Sequence, residues 1–225
     1  MKKHILLLGL IIITAPLFAQ ESGSVTRLKK ADRVIFEVFH DVWQDMPTGI
    51  TLKTIQPGFG FTSMQDYPIG NSNFAFAFGF GISSHNMHSN GFFSYDTTKV
   101  TEFLPMSSDL KYKINKFTLT YLETPAEIRF RTKGVNTFRF YAGMKLRVLL
   151  QEHTKYVGDD PFSNYQIKYK EYKHNHVTLF SFAPTVRVGY KWFNIYASYS
   201  LNPVFEKNKG PQMYPISVGL SVMPY

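Results

Sequence analysis

Phe74-Ala75-Phe76-Ala77-Phe78-Gly79-Phe80-Gly81-Ile82-Ser83 is the stretch that decides the fold. Bulky apolar side chains fill every even position and Ala, Gly or Ser every odd one, a period of two that a β-strand projects onto opposite faces. A strand of a soluble sandwich turns its large residues inward and polar ones to water. Here the second face is too small and too apolar to be a solvated surface. It suits the inside of a narrow barrel, with the rings turned outward to lipid.

The same rule governs later segments. Phe138, Phe140, Ala142, Met144, Leu146, Val148 and Leu150 alternate with Arg139, Tyr141, Gly143, Lys145, Arg147 and Gln151, so every charge falls on the second face. Phe180, Phe182, Val186, Val188 and Tyr190 oppose Ser181, Ala183, Thr185, Arg187 and Gly189, and comparable sets run through 193–202 and 214–224. A Lys or Arg on the lipid face near mid-bilayer costs about 2–4 kcal/mol, so the absence of charge from these apolar faces weighs more than average hydropathy. Segments 33–43, 52–64, 73–86, 116–131, 137–151, 176–190, 193–202 and 214–224 give the expected architecture: all-β, an eight-stranded antiparallel up-and-down transmembrane β-barrel. Connections at Gly70 to Ser72, Thr132 to Asn136 and Lys191 to Trp192 are short, while 87–115 and 152–175 are long. Tight periplasmic turns and long outer loops are the usual asymmetry of such barrels.

The first twenty residues carry Lys2 and Lys3, an apolar run from Ile5 to Ile13 and a small-residue end at Ala19, the layout of a signal peptide. The expected division is a signal peptide over 1–20, a periplasmic segment over 21–32 and an outer-membrane barrel over 33–225. With no Cys in the chain, there is neither a disulfide framework nor a lipid-attachment thiol. The formal charge of +9 falls to +7 without Lys2 and Lys3; the bases are dispersed along strands of an exported chain, which argues against nucleic acid as a partner.

Tyr121-Leu122-Glu123-Thr124-Pro125 resembles the Tyr-Leu-Glu-Ile-Pro signature of PorT-like outer-membrane β-barrel proteins of Bacteroidetes, and Pro215-Ile216-Ser217-Val218-Gly219 with Tyr225 is similar to that group's last strand. Thr124 stands where the group has an apolar residue, and Pro224 puts Tyr225 out of phase with the apolar face. The resemblance implies a barrel, recognition of its last strand by the barrel-assembly machinery, and links to secretion or gliding.

Alternation puts Glu123, Glu127, Arg129 and Arg131 on the lumen side of one strand, and Arg139, Lys145 and Arg147 on that of its neighbour. Pairing across the Gly134 turn sets Glu123 opposite Lys145 or Arg147. A structural ion-pair network of Glu123, Glu127, Arg129, Arg139, Lys145, Arg147 and Arg187 is expected, joined by Glu37 and Asp41. Trp43, Tyr67, Tyr112, Tyr190, Trp192 and Tyr214 near strand ends are expected as interfacial anchors.

His85, His88, Ser84 and Asp96 are the candidates for a hydrolytic or metal site, and His174-Asn175-His176 is a further histidine pair. Such spacing in loops fits solvated histidines better than ligands, and no Gly-x-Ser-x-Gly or His-Glu-x-x-His is present. No catalytic, cofactor or metal site is assigned. The expected role is structural or interactive in the outer membrane, as an accessory to secretion or surface assembly. The expected partners are outer-membrane lipids including lipopolysaccharide, the barrel-assembly machinery, and a surface or secretion-system protein. The alternatives are a lipid-active enzyme of the same architecture and a soluble periplasmic barrel with its Phe faces turned inward around an apolar ligand.

Overall fold

The computed structural model describes residues 33–95, 100–134, 136–160, 163 and 165–224. The expected signal peptide and periplasmic segment, together with Asp96 and Tyr225, lie outside the described residues.

Among the described residues eleven strands follow in chain order: β1 Val34–Gln44, β2 Pro57–Pro68, β3 Phe74–His88, β4 Gly91–Tyr95, β5 Thr101–Pro105, β6 Tyr112–Arg131, β7 Phe138–Asp159, β8 Gln166–Tyr172, β9 Phe180–Tyr190, β10 Phe193–Tyr199 and β11 Tyr214–Val222. Eight of them close a wall in the order β1-β2-β3-β6-β7-β9-β10-β11, every neighbouring pair antiparallel. The seam joins β1 to β11, with Phe36 opposite Val222 and Gln44 opposite Tyr214. Closure leaves no open edge within the wall, the condition for placing backbone in hydrocarbon. No helix among the described residues is long and apolar enough to cross a membrane; crossing falls to the strands.

The bulky face is the outer one. Phe74, Phe76, Phe78, Phe80 and Ile82 are all exposed, Phe80 at 57%, whereas Ala75 and Ala77 are buried. Phe138, Phe140, Ile128, Phe182, Ile195 and Leu220 continue that band around the wall. An inward-facing Phe set around an apolar ligand is therefore overturned. The glycines of the other face make room for larger neighbours: a Cβ on Gly58 would lie 1.9 Å from the Phe39 ring, and one on Gly143 2.1 Å from the Ala126 carbonyl oxygen.

Short connections gather at one end, at 69–73, 132–137 and 191–192, and long ones at the other. The positive φ of Gly70 (56°) and Gly134 (110°) allows two of those tight turns. The long-connection end departs from expectation. Transmembrane strands need about 9–11 residues, but β6 has 20 and β7 has 22. Both run on past the lipid band, with the upper part of β3 paired to β6 and β8 paired to β7 beyond the point where β9 begins. So 87–115 and 152–175 are not simple loops. β2 also begins and ends later than expected, because 45–56 forms a longer connection with a bridge from Leu52 to Ser89; β9 starts at Phe180 rather than 176, and β10 ends at Tyr199.

A bulge marks the passage out of the membrane. Tyr121 pairs with Leu149 and Thr120 with Gln151, leaving Leu150 unopposed. Below it the wall of β7 is apolar outside and ionic inside. Above it, Phe117, Leu119 and Met87 turn inward and pack with Trp43, Phe103, Val204, Phe205 and Met213 into an apolar lid over the barrel mouth.

Candidate functional site

The lumen residues come from five wall strands. Alternation on β6 and β7 points Glu123, Glu127, Arg129, Arg139, Lys145 and Arg147 inward, β9 contributes Arg187, β1 Glu37 and Asp41, and β2 Asp66; the first seven are each at most 2% exposed. Glu123 lies opposite Arg147. Its carboxylate accepts from Arg147 Nε at 2.8 Å and lies 2.8 Å from Lys145 Nζ, which also reaches Glu37 at 2.8 Å. Arg187 bridges Glu37 and Glu127. Glu127 accepts from Arg129 Nε at 2.9 Å, and Arg129 donates to Asp66 at 2.6 Å; Arg131 lies 2.6 Å from the other Asp66 oxygen. The result is one ladder of alternating sign, Arg131–Asp66–Arg129–Glu127–Arg187–Glu37–Lys145–Glu123–Arg147, along the barrel axis. Tyr196 and Tyr141 supply ring faces to its cations, with Lys145 Nζ 4.9 Å from the Tyr196 centroid and Arg129 4.8 Å from that of Tyr141. Arg139 is buried near the short-turn end, beside Gly189 on the neighbouring strand.

Asp66 is the ladder member that sequence reasoning missed. It lies two residues beyond the expected strand end at 64, on a stretch where Ser63 and Gln65 interrupt the apolar face of β2 although Phe59, Phe61 and Tyr67 keep the same parity on either side.

At the outer end the ladder continues through hydroxyls. Ser83 Oγ donates to Glu123 at 2.7 Å and lies 3.3 Å from His85 Nε2; His85 Nδ1 lies 3.0 Å from Asp41, which also accepts from Ser217 at 2.6 Å. The serine beside His85 is therefore Ser83, not Ser84, since even positions of β3 face outward. His85 is buried against the Phe39 and Tyr121 rings, at centroid distances of 4.9 and 5.7 Å. It is not a solvated loop histidine, and neither is His174, whose Nδ1 lies 2.5 Å from Glu152 beneath the rings of Phe93 and Phe117. His88 sits on the outer wall: three residues along a strand reverses the face, so His85 and His88 cannot share a metal. His176 is 3.9 Å from Glu206. Among the described residues no group of three His, Asp or Glu side chains could hold a metal ion.

The expected aromatic anchors divide. Tyr67 is exposed and stacked on Phe78 at 5.3 Å, and Tyr190 and Trp192 are exposed at the short turn between β9 and β10. Tyr214 is half-buried at the outer end of β11, opposite Gln44. Trp43 is not interfacial: it has inward parity on β1 and is buried in the lid. Nor is Tyr112, which lies ten residues beyond Leu122 on β6, about 33 Å of strand, with its ring against Tyr156.

A closed wall, an apolar outer band and a filled ionic lumen describe an integral membrane barrel. Residues 32–206 match the family model described as outer membrane protein beta-barrel domain. The chain belongs to that family. Its location is the outer membrane. No curated protein matches the sequence. Among solved structures, Ail, the attachment invasion locus protein of Yersinia pestis, in complex with the heparin analogue sucrose octasulfate, is similar at 13% identity and a TM-score of 0.31, covering 84% of this chain and 96% of that one.

Proposed function

We propose that this family member is a non-conducting outer-membrane scaffold of the PorT-like kind, serving a secretion or surface-assembly system by presenting its outer sheet to a protein partner. One observation carries the reading: the lumen is occupied at membrane depth by the Glu37–Lys145–Glu123–Arg147 ladder and covered by the lid around Phe117 and Phe205. A path for solute would have to break buried ion pairs, each costly to leave half-made. The projecting β7–β8 hairpin is then the working surface, with Tyr165, Tyr169 and Tyr172 exposed on it.

The test pairs two measurements. Purified protein in planar bilayers is expected to give no steady conductance, and deletion of residues 160–165, between β7 and β8 in the chain, is expected to abolish secretion or surface display while the barrel still shows heat-modifiable gel migration. Steady ohmic conductance, or normal secretion by the deletion strain, refutes the proposal.

A lipid-active enzyme remains the second reading because Ser83, His85 and Asp41 stand in the order of a hydrolytic triad. Against it, Ser83 directs its proton to Glu123 and all three side chains are buried under the lid. Fatty-acid release from phospholipid vesicles that disappears on Ser83→Ala would establish it.

A further inference from the structure

Three registers build a line of basic side chains on the outer wall: His88 opposite Lys116, Lys116 opposite Lys155, and Lys155 opposite Lys170. Directly opposed residues share a face. That face is outward, because Met87 and Phe117, one residue away on β3 and β6, pack into the lid. At about 4.8 Å per strand the line spans roughly 14 Å. Lys53, whose backbone N–H donates to the His88 carbonyl at 2.9 Å, prolongs it at one end, and Lys168 lies two residues from Lys170 on the same face.

Like charges set directly opposite one another destabilise a sheet. Burial, followed by the charges of Lys155 and Lys170, pushes the Lys116 ammonium below its ordinary value. Lys116 Nζ donates to Asn86 at 2.8 Å, but among the described residues no ion pair joins Lys53, Lys116, Lys155, Lys168 or Lys170 to a carboxylate. Glu171 turns to the other face, 3.9 Å from His174, and Asp159 lies four residues beyond Lys155, about 13 Å toward the tip. An anion from outside the chain would relieve the repulsion.

The height of the line selects its source. Lys116 is four residues past Thr120, where the lipid band ends, which is about 13 Å of strand and about 10 Å of height at the usual tilt. That clears the hydrocarbon and the roughly 5–8 Å headgroup layer of an ordinary leaflet, and reaches the level of phosphorylated sugars in lipopolysaccharide. We propose that the outer wall of β3, β6, β7 and β8, along His88, Lys116, Lys155 and Lys170, binds the phosphate groups of lipopolysaccharide. The inference depends on the outer-membrane location and stands apart from any secretion role.

The test uses the full mature chain folded in zwitterionic detergent, with binding read by microscale thermophoresis against intact lipopolysaccharide, enzymatically dephosphorylated lipopolysaccharide and inorganic phosphate. Binding of the intact glycolipid is expected to weaken about a hundredfold in K116Q/K155Q/K170Q, at roughly fivefold per charge, and to survive in K116R/K155R/K170R. Dephosphorylated glycolipid is expected to bind as weakly as the Gln variant, and inorganic phosphate not to compete below millimolar concentration. A K207Q/K209Q control keeps full affinity, and heat-modifiable migration of each variant shows that it is folded. Equal affinity of the Gln variant and the parent, or of intact and dephosphorylated glycolipid, overturns the proposal; competition by micromolar phosphate overturns the lipid as source. Should the triple variant fail to fold, Lys155→Gln alone decides, with a fivefold loss expected and no loss refuting.

Discussion

Replacing Lys145 by Met cuts the ladder between Glu37 and Glu123 while keeping most of the length of the side chain. The Lys145 ammonium lies 2.8 Å from both Glu37 and Glu123 and is 1% exposed. Removing one partner of a buried pair costs about 3–5 kcal/mol, because the remaining charge is left in a poorly solvated place. Glu37 keeps Arg187 and Glu123 keeps Arg147 and Ser83, so the loss belongs near the lower end, about 3 kcal/mol. Urea titration of the protein in detergent micelles, followed by heat-modifiable migration and tryptophan emission, reads this as a lower midpoint at constant slope. Adding Glu37→Gln to Lys145→Met removes the surplus carboxylate, since Arg187 keeps Glu127 and Glu123 keeps Arg147, and is expected to recover part of the loss. A single-variant loss below about 1 kcal/mol, the range of exposed pairs, would mean that water reaches the ladder and that the filled lumen is misread.

Phe78→Arg, in the middle of the outer band, is expected to destabilise the barrel in liposomes by about 2–4 kcal/mol, and an unchanged urea midpoint would contradict a lipid-facing Phe78. Trp192→Phe leaves Trp43 as the lone tryptophan; its emission is expected to be blue-shifted and resistant to acrylamide, whereas strong quenching would place it outside the lid. Burial and the nearby Lys116 and Lys53 hold the His88 imidazole below its ordinary value, and burial with Lys170 and Lys116 does the same for His153. The folded protein therefore binds fewer protons than the unfolded chain as pH falls through about 6.5, so stability declines with acidification in that window and rises again with pH. An NMR titration giving either histidine a value at or above 6.5 would refute that sign. Trypsin added to intact cells is expected to cut within 152–175, and full resistance together with cleavage in permeabilised cells would invert the orientation.

The membrane-spanning half of the wall was legible because one chemical rule holds there: Phe74 to Ile82, Phe138 to Val148 and Phe180 to Tyr190 keep lipid on one side and ions on the other. Pairing of Glu123 with its cations followed from the shortness of the Gly134 turn. The outer half was not legible, since the rule reverses there. The unopposed Leu150 changes the parity of β7, after which Glu152 and Tyr156 face inward and Lys155 outward, while β6 keeps its parity but carries Phe117 and Leu119 inside and Lys116 outside, and a reader who expects rings to face lipid sees only an irregular loop. Trp43 was misplaced for the same reason: an aromatic at a strand end reads as an anchor unless the strand's own parity is followed through Asp41 to the lid. Ser83 and His85 share a face of β3 two residues apart, but the approach of Asp41 on β1 to His85 depends on two strands that are not neighbours meeting across the lumen, which spacing along one strand does not encode.

The seam between β1 and β11 has a bearing on how the molecule is made. Its two sides are synthesised first and last, so every hydrogen bond along it waits for the whole wall to be present. Until then the growing sheet has two raw margins, each able to recruit a foreign strand. Until Tyr214 to Val222 arrive β1 has no partner on that side, and loss of those nine residues is expected to leave a curled, unsealed sheet rather than a smaller barrel.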